Sequence, residues 1–511
     1  MKKVFCGGFF ELLFRENMSR KILIIKEKVL FMITENLSPK SVFYHFEKLC
    51  GIPHGSGNEK GVSDYCVDFA IKNGLRYLRD QANNVIIFKD GTKGYEDHEP
   101  VIIQGHLDMV CAVRAGADID MEKEPLKLKI YGDELGAEDT SLGGDDGIAV
   151  AYALALLESE DIPHPPLEVL LTTDEEVGMN GAAVVDLSML RGKKLINVDS
   201  EEEGVFTVGC AGGLRVYSTL PVTREKCDGK YYKIVFDGLL GGHSGVEINK
   251  GRANSNVEAG KLLKAISNVA DIRLVSIAGG DKDNVITPYT EAKISVKCGD
   301  EKAVFDAFES YGKEFCKQFG EVEKNAKMTL SETESVGALP LDKKSSCALI
   351  NILFEAPFGV QKMNPYIEGL VQTSLNLGVL KLEESSLRID HSVRSSLTAE
   401  LDELGNKIKE ICEKWGAVST FHNPYPAWEY RKDSKLRDTM IRVYTDMFQK
   451  TPDVVAIHAG LECGLLSEKL PGLDCVSIGP NMFDIHTSRD RLEIASVERT
   501  WNFLLAVLKA L

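Results

Sequence analysis

The apolar run Leu167-Glu168-Val169-Leu170-Leu171-Thr172-Thr173 empties directly into three consecutive acids, Asp174-Glu175-Glu176. A run of that length and composition reads as a buried strand, so three carboxylates are expected at its carboxyl end. The pattern recurs where Val101-Ile102-Ile103-Gln104-Gly105 meets His106-Leu107-Asp108, and where Leu195-Ile196-Asn197-Val198 meets Asp199. Open α/β sheets place ligands outside the carboxyl ends of their strands, which predicts that these residues converge. Gathered carboxylates raise one another's pKa unless positive charge keeps them ionised, and a divalent metal supplies that charge.

From Ser38 onward, helix and strand signals alternate in the manner of an α/β protein. Helices are expected from Pro39 to Cys50, from Asn58 to Asn73 and from Gly147 to Glu158, with a strand from Asn84 to Phe88. The character changes after Gly212-Gly213. Strands Leu214 to Thr219 and Tyr231 to Phe236 precede a helix from Asn254 to Ser267, and strands Leu375 to Leu380 and Ser386 to Val393 precede a helix from Leu401 to Trp415. Two segments of the form strand, strand, helix suggest an internal duplication. The α/β pattern resumes after Pro424-Tyr425-Pro426. The expected organisation is a catalytic domain in two parts, 33–212 and 428–511, with a central mixed sheet flanked by helices. An α+β lid domain, 213–427, is inserted between them. Residues 1–32 are expected to be a loosely packed extension or the product of an upstream start codon, since their apolar stretch is short, is broken by Glu11 and lacks a small-residue cleavage site.

At 511 residues the chain can bury a large core in more than one domain. Its 60 Lys and Arg against 77 Asp and Glu leave a net charge of −17, which argues against nucleic acid and anionic membrane as partners. No stretch reaches the roughly 18 apolar residues of a membrane span. Twelve cysteines occur without a C-x-x-C pair. That usage fits reduced thiols in a cytoplasm, as small core residues rather than nucleophiles.

The residues that carry chemistry are His106, Asp108, Asp145, Asp146, Glu175, Glu176, Asp199 and the distant His486. Each has a bland alternative: a polar strand end for His106 and Asp108, a solvated helix start for Glu175 and Glu176, a turn acid for Asp199. Asp146, in Gly143-Gly144-Asp145-Asp146-Gly147, reads equally well as a cap on the backbone N–H groups of the next helix. Jointly the bland alternatives fail, because so many of these acids follow apolar strands.

Several ordered motifs carry a resemblance. They are His106-Leu107-Asp108-Met109-Val110, Gly143 to Ala149, Thr173 to Met179, Asn197-Val198-Asp199-Ser200-Glu201, Gly241-Gly242-His243-Ser244-Gly245, Ser374 to Gly378, His458 to Gly464, and Gly479-Pro480-Asn481 leading to His486. Across about residues 35 to 511 the chain resembles the di-zinc metallopeptidase family of aminoacylases and carnosinases, in its aminoacyl-histidine dipeptidase branch. The resemblance implies that Asp145 bridges two divalent ions, with His106 and Asp199 completing one set of ligands and Glu176 and His486 the other. Zinc suits such a set, and manganese or cobalt could occupy it. It further implies a cis peptide between Asp145 and Asp146, Asp108 orienting His106, Glu175 as general base, and His243 donating to the oxyanion. Asn284, Arg394 and Gly460 would hold the substrate, Arg394 as partner of a free C-terminal carboxylate. His458 is expected to support structure, and His45, His54, His98, His164, His391 and His422 to be surface or core residues. The metal loop reads Gly-Asp-Asp-Gly where relatives often have Ala-Asp-Asn-Gly, which removes no ligand but leaves substrate preference open.

The resulting expectation is a cytoplasmic, metal-dependent dipeptidase acting on small peptides, with Xaa-His dipeptides among its candidate substrates and a homodimer as the assembly left open. Its rivals are an N-acyl amino acid deacylase and, from another class, a non-catalytic binding protein on a peptidase scaffold. The last would lack Glu175 or a ligand, and all are present.

Overall fold

A computed structural model describes residues 32–334, 338–367 and 369–511. Of the expected extension only Met32 falls within them. Two large sheets organise the chain. The first has eight strands in the order Arg76–Arg79, Val85–Lys89, Leu167–Thr172, Val101–His106, Lys194–Asn197, Asp474–Ser477, Val205–Cys210, Asp453–Ile457. It is mixed: Val101–His106 runs parallel to both of its neighbours, while Val85–Lys89 pairs antiparallel to Leu167–Thr172. Strands Val101–His106 and Leu167–Thr172 are buried at every residue. Near-continuous apolar composition leads to this outcome, because a strand covered on both faces has no polar side to alternate with.

Helix Gly144–Glu158 is apolar all round and buried along almost its whole length, so it must be covered on all sides. It lies between the sheet and helix Lys40–Cys50, in a core that includes Phe43, Phe46, Ile103, Val169 and Tyr152. Its first turn is not helical at Asp145 and Asp146.

After Val205–Cys210 the chain passes to a second, nine-stranded sheet through Gly212–Pro221. Eight of its strands form two units of the same topology, side by side in the sheet. In the first, strands Lys230–Asp237, Ile272–Gly279, Thr290–Val296 and Lys327–Thr333 alternate with helices Ser255–Ser267 and Glu301–Phe319 as βαββαβ, with spatial order 4-1-3-2. In the second, Gly212–Pro221, Val371–Leu382, Ser386–Ser395 and Val418–Tyr425, with helices Lys343–Glu355 and Thr398–Lys414, repeat that order. The two units meet edge to edge where Ala278 and Gly279 pair with Lys381 and Leu380. The duplication is therefore not of the strand, strand, helix form expected. Gly212–Pro221 and Lys230–Asp237 are consecutive in sequence yet belong to different units, because the whole first unit interrupts the second after its opening strand. Strands such as Lys230–Asp237 alternate in burial, with Tyr232, Ile234 and Phe236 turned to the helices, as befits a sheet covered on one face.

No helix among the described residues is long and apolar enough to cross a membrane. Cys50, Cys66, Cys210, Cys412, Cys463 and Cys475 are buried as expected, but Cys111, Cys298, Cys316 and Cys347 are exposed. Those four are not core residues: Cys111 follows a strand end into a loop, and Cys316 is on a helix whose buried positions there are Phe315 and Phe319.

Candidate metal centre and substrate cleft

Strands Leu167–Thr172, Val101–His106 and Lys194–Asn197 are adjacent and parallel, with Thr172 registered against His106 and Asn197 against Gln104. Their carboxyl ends therefore coincide, which brings Glu175 and Glu176, His106, and Asp199 to one rim. Asp145 arrives from the loop that opens helix Gly144–Glu158, across a cis Asp145–Asp146 peptide. His486 comes from the loop beyond Met482–Phe483 and has a φ of 60°, in the left-handed region that costs a non-glycine residue.

Asp145 stands between the two histidines. Its Oδ1 lies 2.9 Å from His106 Nε2 and its Oδ2 lies 3.2 Å from His486 Nε2. His486 Nε2 is also 2.8 Å from Glu176 Oε1, and His106 Nε2 is 3.8 Å from Asp199 Oδ1. Potential ligand atoms of His106, Asp145 and Glu176 lie within 4.8 Å of one another, as do those of His106, Asp146 and Asp199. The donor set fits divalent cations. Asp145 offers one oxygen to each side, and Asp199 Oδ2 is buried without a hydrogen-bond partner, a cost that coordination would relieve.

The electrostatics agree. Burial and then Asp145 push Asp199 well above the usual carboxylate range. Burial also raises Asp145, but hydrogen bonds from His106 and His486 outweigh it and hold that carboxyl well below its ordinary value. Hydrogen bonds to Asp145 and Glu176 lift His486 to about 10. Burial pushes Glu175 up to about 8, and Glu462, Glu176 and Asp145 add to the rise against the opposing His106. The site is thus short of positive charge, and bound cations reverse that balance.

Asp108 sits beneath the rim. His106 Nδ1 is 3.0 Å from the Asp108 backbone carbonyl and 3.4 Å from its carboxylate. The carboxylate accepts from the Ser56 hydroxyl at 2.8 Å and from the backbone N–H groups of Glu175 and Glu176 at 3.0 and 3.2 Å. Its main contacts are therefore with the turn that carries the acids. Asp146 does not cap the helix it begins: its Oδ2 accepts from the backbone N–H of His106 at 3.0 Å, because the non-helical turn directs the side chain to the neighbouring strand end.

The cleft above the rim has a volume of about 1400 Å³; the second sheet lends it Arg215 and Arg394, while His243 comes from the short strand Gly242–His243 and Asn284 from the turn before its partner strand Val285–Ile286. His243 Nδ1 accepts from the N–H groups of Gly245 and Val246 at 3.2 and 3.3 Å, which leaves the neutral ring's proton on Nε2. Burial, then Arg394, keeps this imidazole below its ordinary pKa. Arg394 Nη1 donates to the Tyr425 hydroxyl at 3.2 Å. Gly460 also lines the cleft, and a Cβ there would meet the Tyr425 ring at 2.9 Å.

Two supporting acids were not singled out from sequence. Glu462 is fully buried, and its Oε2 accepts from the Thr172 hydroxyl and the Gln104 amide, each at 2.6 Å. The Asn197 amide in turn donates to Gln104 Oε1 at 2.7 Å. This hydrogen-bond chain ties together the three strands whose ends form the rim. Its signals were a glutamine inside an apolar strand and an acid in the run His458 to Gly464. Asp490 Oδ2 accepts from the N–H groups of Leu142 and Gly143 at 2.8 and 3.0 Å, and so fixes the loop that bears Asp145. Of the histidines set aside, His45, His54, His164 and His391 are buried, and none joins either candidate metal cluster. His458 is buried with Nε2 2.7 Å from the Ser374 hydroxyl.

Comparison with known proteins gives concordant matches. The model of peptidase family M20/M25/M40 matches residues 102–510. The cytosol non-specific dipeptidase of Escherichia coli (strain K12) is 36% identical over 475 residues, which cover 93% of this chain and 98% of that protein. The crystal structure of aminoacylhistidine dipeptidase from Vibrio alginolyticus superposes with a TM-score of 0.87 at 33% identity, covering 93% of this chain and 98% of that one. The aminopeptidase PepT of Bacillus cereus shares the fold, with a TM-score of 0.55 at 14% identity and coverage of 93% and 99%.

Proposed function

The chain belongs to peptidase family M20/M25/M40, and from that premise we propose that it is a metal-dependent dipeptidase working in the cytoplasm on small peptides with a free C-terminus. The observation that carries this reading is the position of Asp145 between His106 and His486, on the rim of a cleft that Arg394 also lines. His106, Asp145 and Asp199 would hold one divalent ion, and Asp145, Glu176 and His486 a second. Zinc is the ion such a His and carboxylate set suits best, with manganese or cobalt as alternatives. When bound, such ions supply Lewis acidity that eases deprotonation of water and polarises a carbonyl.

The side chains divide the remaining work. Glu175, beside Glu176 on the rim, takes a proton from the attacking water at its carboxylate and passes it to the leaving amine. His243 donates from Nε2 to the oxygen that becomes negative. Asn284 and the backbone at Gly460 position the peptide, and Arg394 binds the terminal carboxylate by a charge-assisted hydrogen bond. That contact limits length on one side, which favours dipeptides. Xaa-His dipeptides belong among the first substrates to test, given the similarity to the Vibrio alginolyticus enzyme.

The deciding experiment is turnover by metal-reconstituted enzyme on a panel of free-amine dipeptides and N-acetyl amino acids. Dipeptides should be cleaved and N-acetyl amino acids should not. The reverse preference would make the protein a deacylase, and no turnover on either would favour a binding protein.

A further inference from the structure

Arg215 is a second guanidinium in the cleft. It lies on Gly212–Pro221, next to the strand Ser386–Ser395 that carries Arg394. Ser392 faces Arg215 across the ladder and Gly213 faces Arg394. The two arginines are therefore diagonal neighbours on one face of the sheet, within joint reach of a small ligand. Both line the cleft.

Arg215 is held from behind. Its Nε donates to Asp283 Oδ2 at 2.8 Å, and the Tyr217 hydroxyl donates to the same oxygen at 2.9 Å. The segment that carries Asp283 is itself pinned, because the Asn376 amide donates to the backbone carbonyls of Asp283 and Val285 at 3.0 and 2.7 Å. Arg215 Nη1 is buried without a protein partner, and so is Arg394 Nε. A guanidinium offers five N–H donors, so these two side chains present more donors than the surrounding protein accepts. Both also act on His243, whose pKa is lowered by burial first, then by Arg394, and, against Glu247, by Arg215. Their charge is thus felt at the hydrolytic end of the cleft.

From this geometry we infer that Arg215 is a further substrate-binding residue, which joins Arg394 on the C-terminal carboxylate of the dipeptide and is aimed by Asp283. The inference rests on the reading of Arg394 given above. Charge decides between one carboxylate and two. Asp283 offsets the charge of Arg215, so the pair of arginines carries a net charge matching a single anion, and Arg215 adds directed donors rather than a second cationic site. An acidic C-terminal side chain therefore gains nothing from it. The Asp283 to Arg215 contact also joins the two βαββαβ units, since Asp283 precedes Asn284 in the first and Arg215 opens the second.

The test uses full-length, metal-loaded enzyme with a dipeptide and its C-terminal amide. Arg215→Gln should raise KM for the dipeptide roughly 10-fold or more, the loss of a hydrogen bond to a charged group, with kcat little changed and the amide unaffected. Arg215→Lys, which keeps the charge but loses the fork, should show a smaller loss of the same kind. Asp283→Asn keeps an acceptor for Arg215 but removes the offsetting charge. It should raise kcat/KM for Xaa-Asp and Xaa-Glu relative to Xaa-Ala, which a purely structural role for Asp283 would not do. Arg394→Ala is run in parallel. If it impairs both substrates equally, the carboxylate reading itself falls. If Arg394→Ala discriminates between them while Arg215→Gln does not, and Asp283→Asn leaves acidic dipeptides no better, the role given to Arg215 is overturned.

Discussion

The carboxylate of Asp108 accepts the backbone N–H of Glu175 at 3.0 Å, and its second oxygen accepts that of Glu176 at 3.2 Å. One buried acid thus positions the turn that holds both the proposed base and a proposed ligand. It reaches His106 mainly through its main-chain carbonyl.

Asp108→Ala removes those two acceptors and leaves the N–H groups of the turn unpaired. Activity should fall by about 10- to 100-fold, the usual cost of losing a partner that supports metal-site residues. Turnover measured beside metal content checks this, and near-normal kcat at full metal loading would show that the turn holds its shape unaided.

Glu175→Gln should retain metal and lower kcat by about 10² or more, since general-base catalysis is typically worth 10² to 10⁴. His106→Ala and Asp199→Ala should instead reduce the metal bound per chain, because each removes a proposed ligand. Elemental analysis separates the two classes. Full occupancy in both ligand variants would break the assignment.

His243 and Glu175 line one cleft within one chain. His243 belongs to the first βαββαβ unit and Arg394 to the second, and both line the cleft of their own chain. The site is therefore predicted to be complete in a single chain. Mixing inactive His243→Ala with inactive Glu175→Gln under conditions that exchange subunits should restore no activity. Recovery of about a quarter of wild-type activity or more would mean that a partner supplies the histidine.

His391 bears on acid stability rather than on catalysis. It is fully buried on the strand Ser386–Ser395 with neither ring nitrogen hydrogen-bonded, and burial lowers its pKa from 6.5 to about 4. The unfolded chain binds a proton here at a higher pH than the folded one does. The folded state therefore loses stability as pH falls from about 6.5 towards about 4, by roughly 1.4 kcal/mol per pH unit for this group. His391→Leu should flatten the dependence of Tm on pH across that window. An unchanged slope would assign the acid sensitivity to other groups.

Much of the rim was legible in sequence because its pattern is local: an apolar run followed at once by His or acid needs only neighbouring residues to declare itself. His106, Glu175, Glu176 and Asp199 were visible in that way, and Gly143 to Gly147 marked the loop of Asp145. Their convergence depends on three strands being adjacent and parallel, a matter of pairing between segments far apart in sequence. Only the tertiary structure could assign the oxygens of Asp145 to two different histidines, turn Asp146 away from a helix cap, or place Glu462 under Thr172 and Gln104, contacts that span 290 and 358 residues. The same holds for the lid. Four of its strands and two of its helices were readable from alternation and periodicity, but helices Glu301–Phe319 and Lys343–Glu355 and the remaining strands were not, and neither was the topology, since the first unit interrupts the second and makes consecutive strands members of different units. Chemistry carried by residues at the end of one segment is written in the order of the amino acids. Geometry shared between segments is set by which surfaces bury each other, and that is decided only when the whole chain packs.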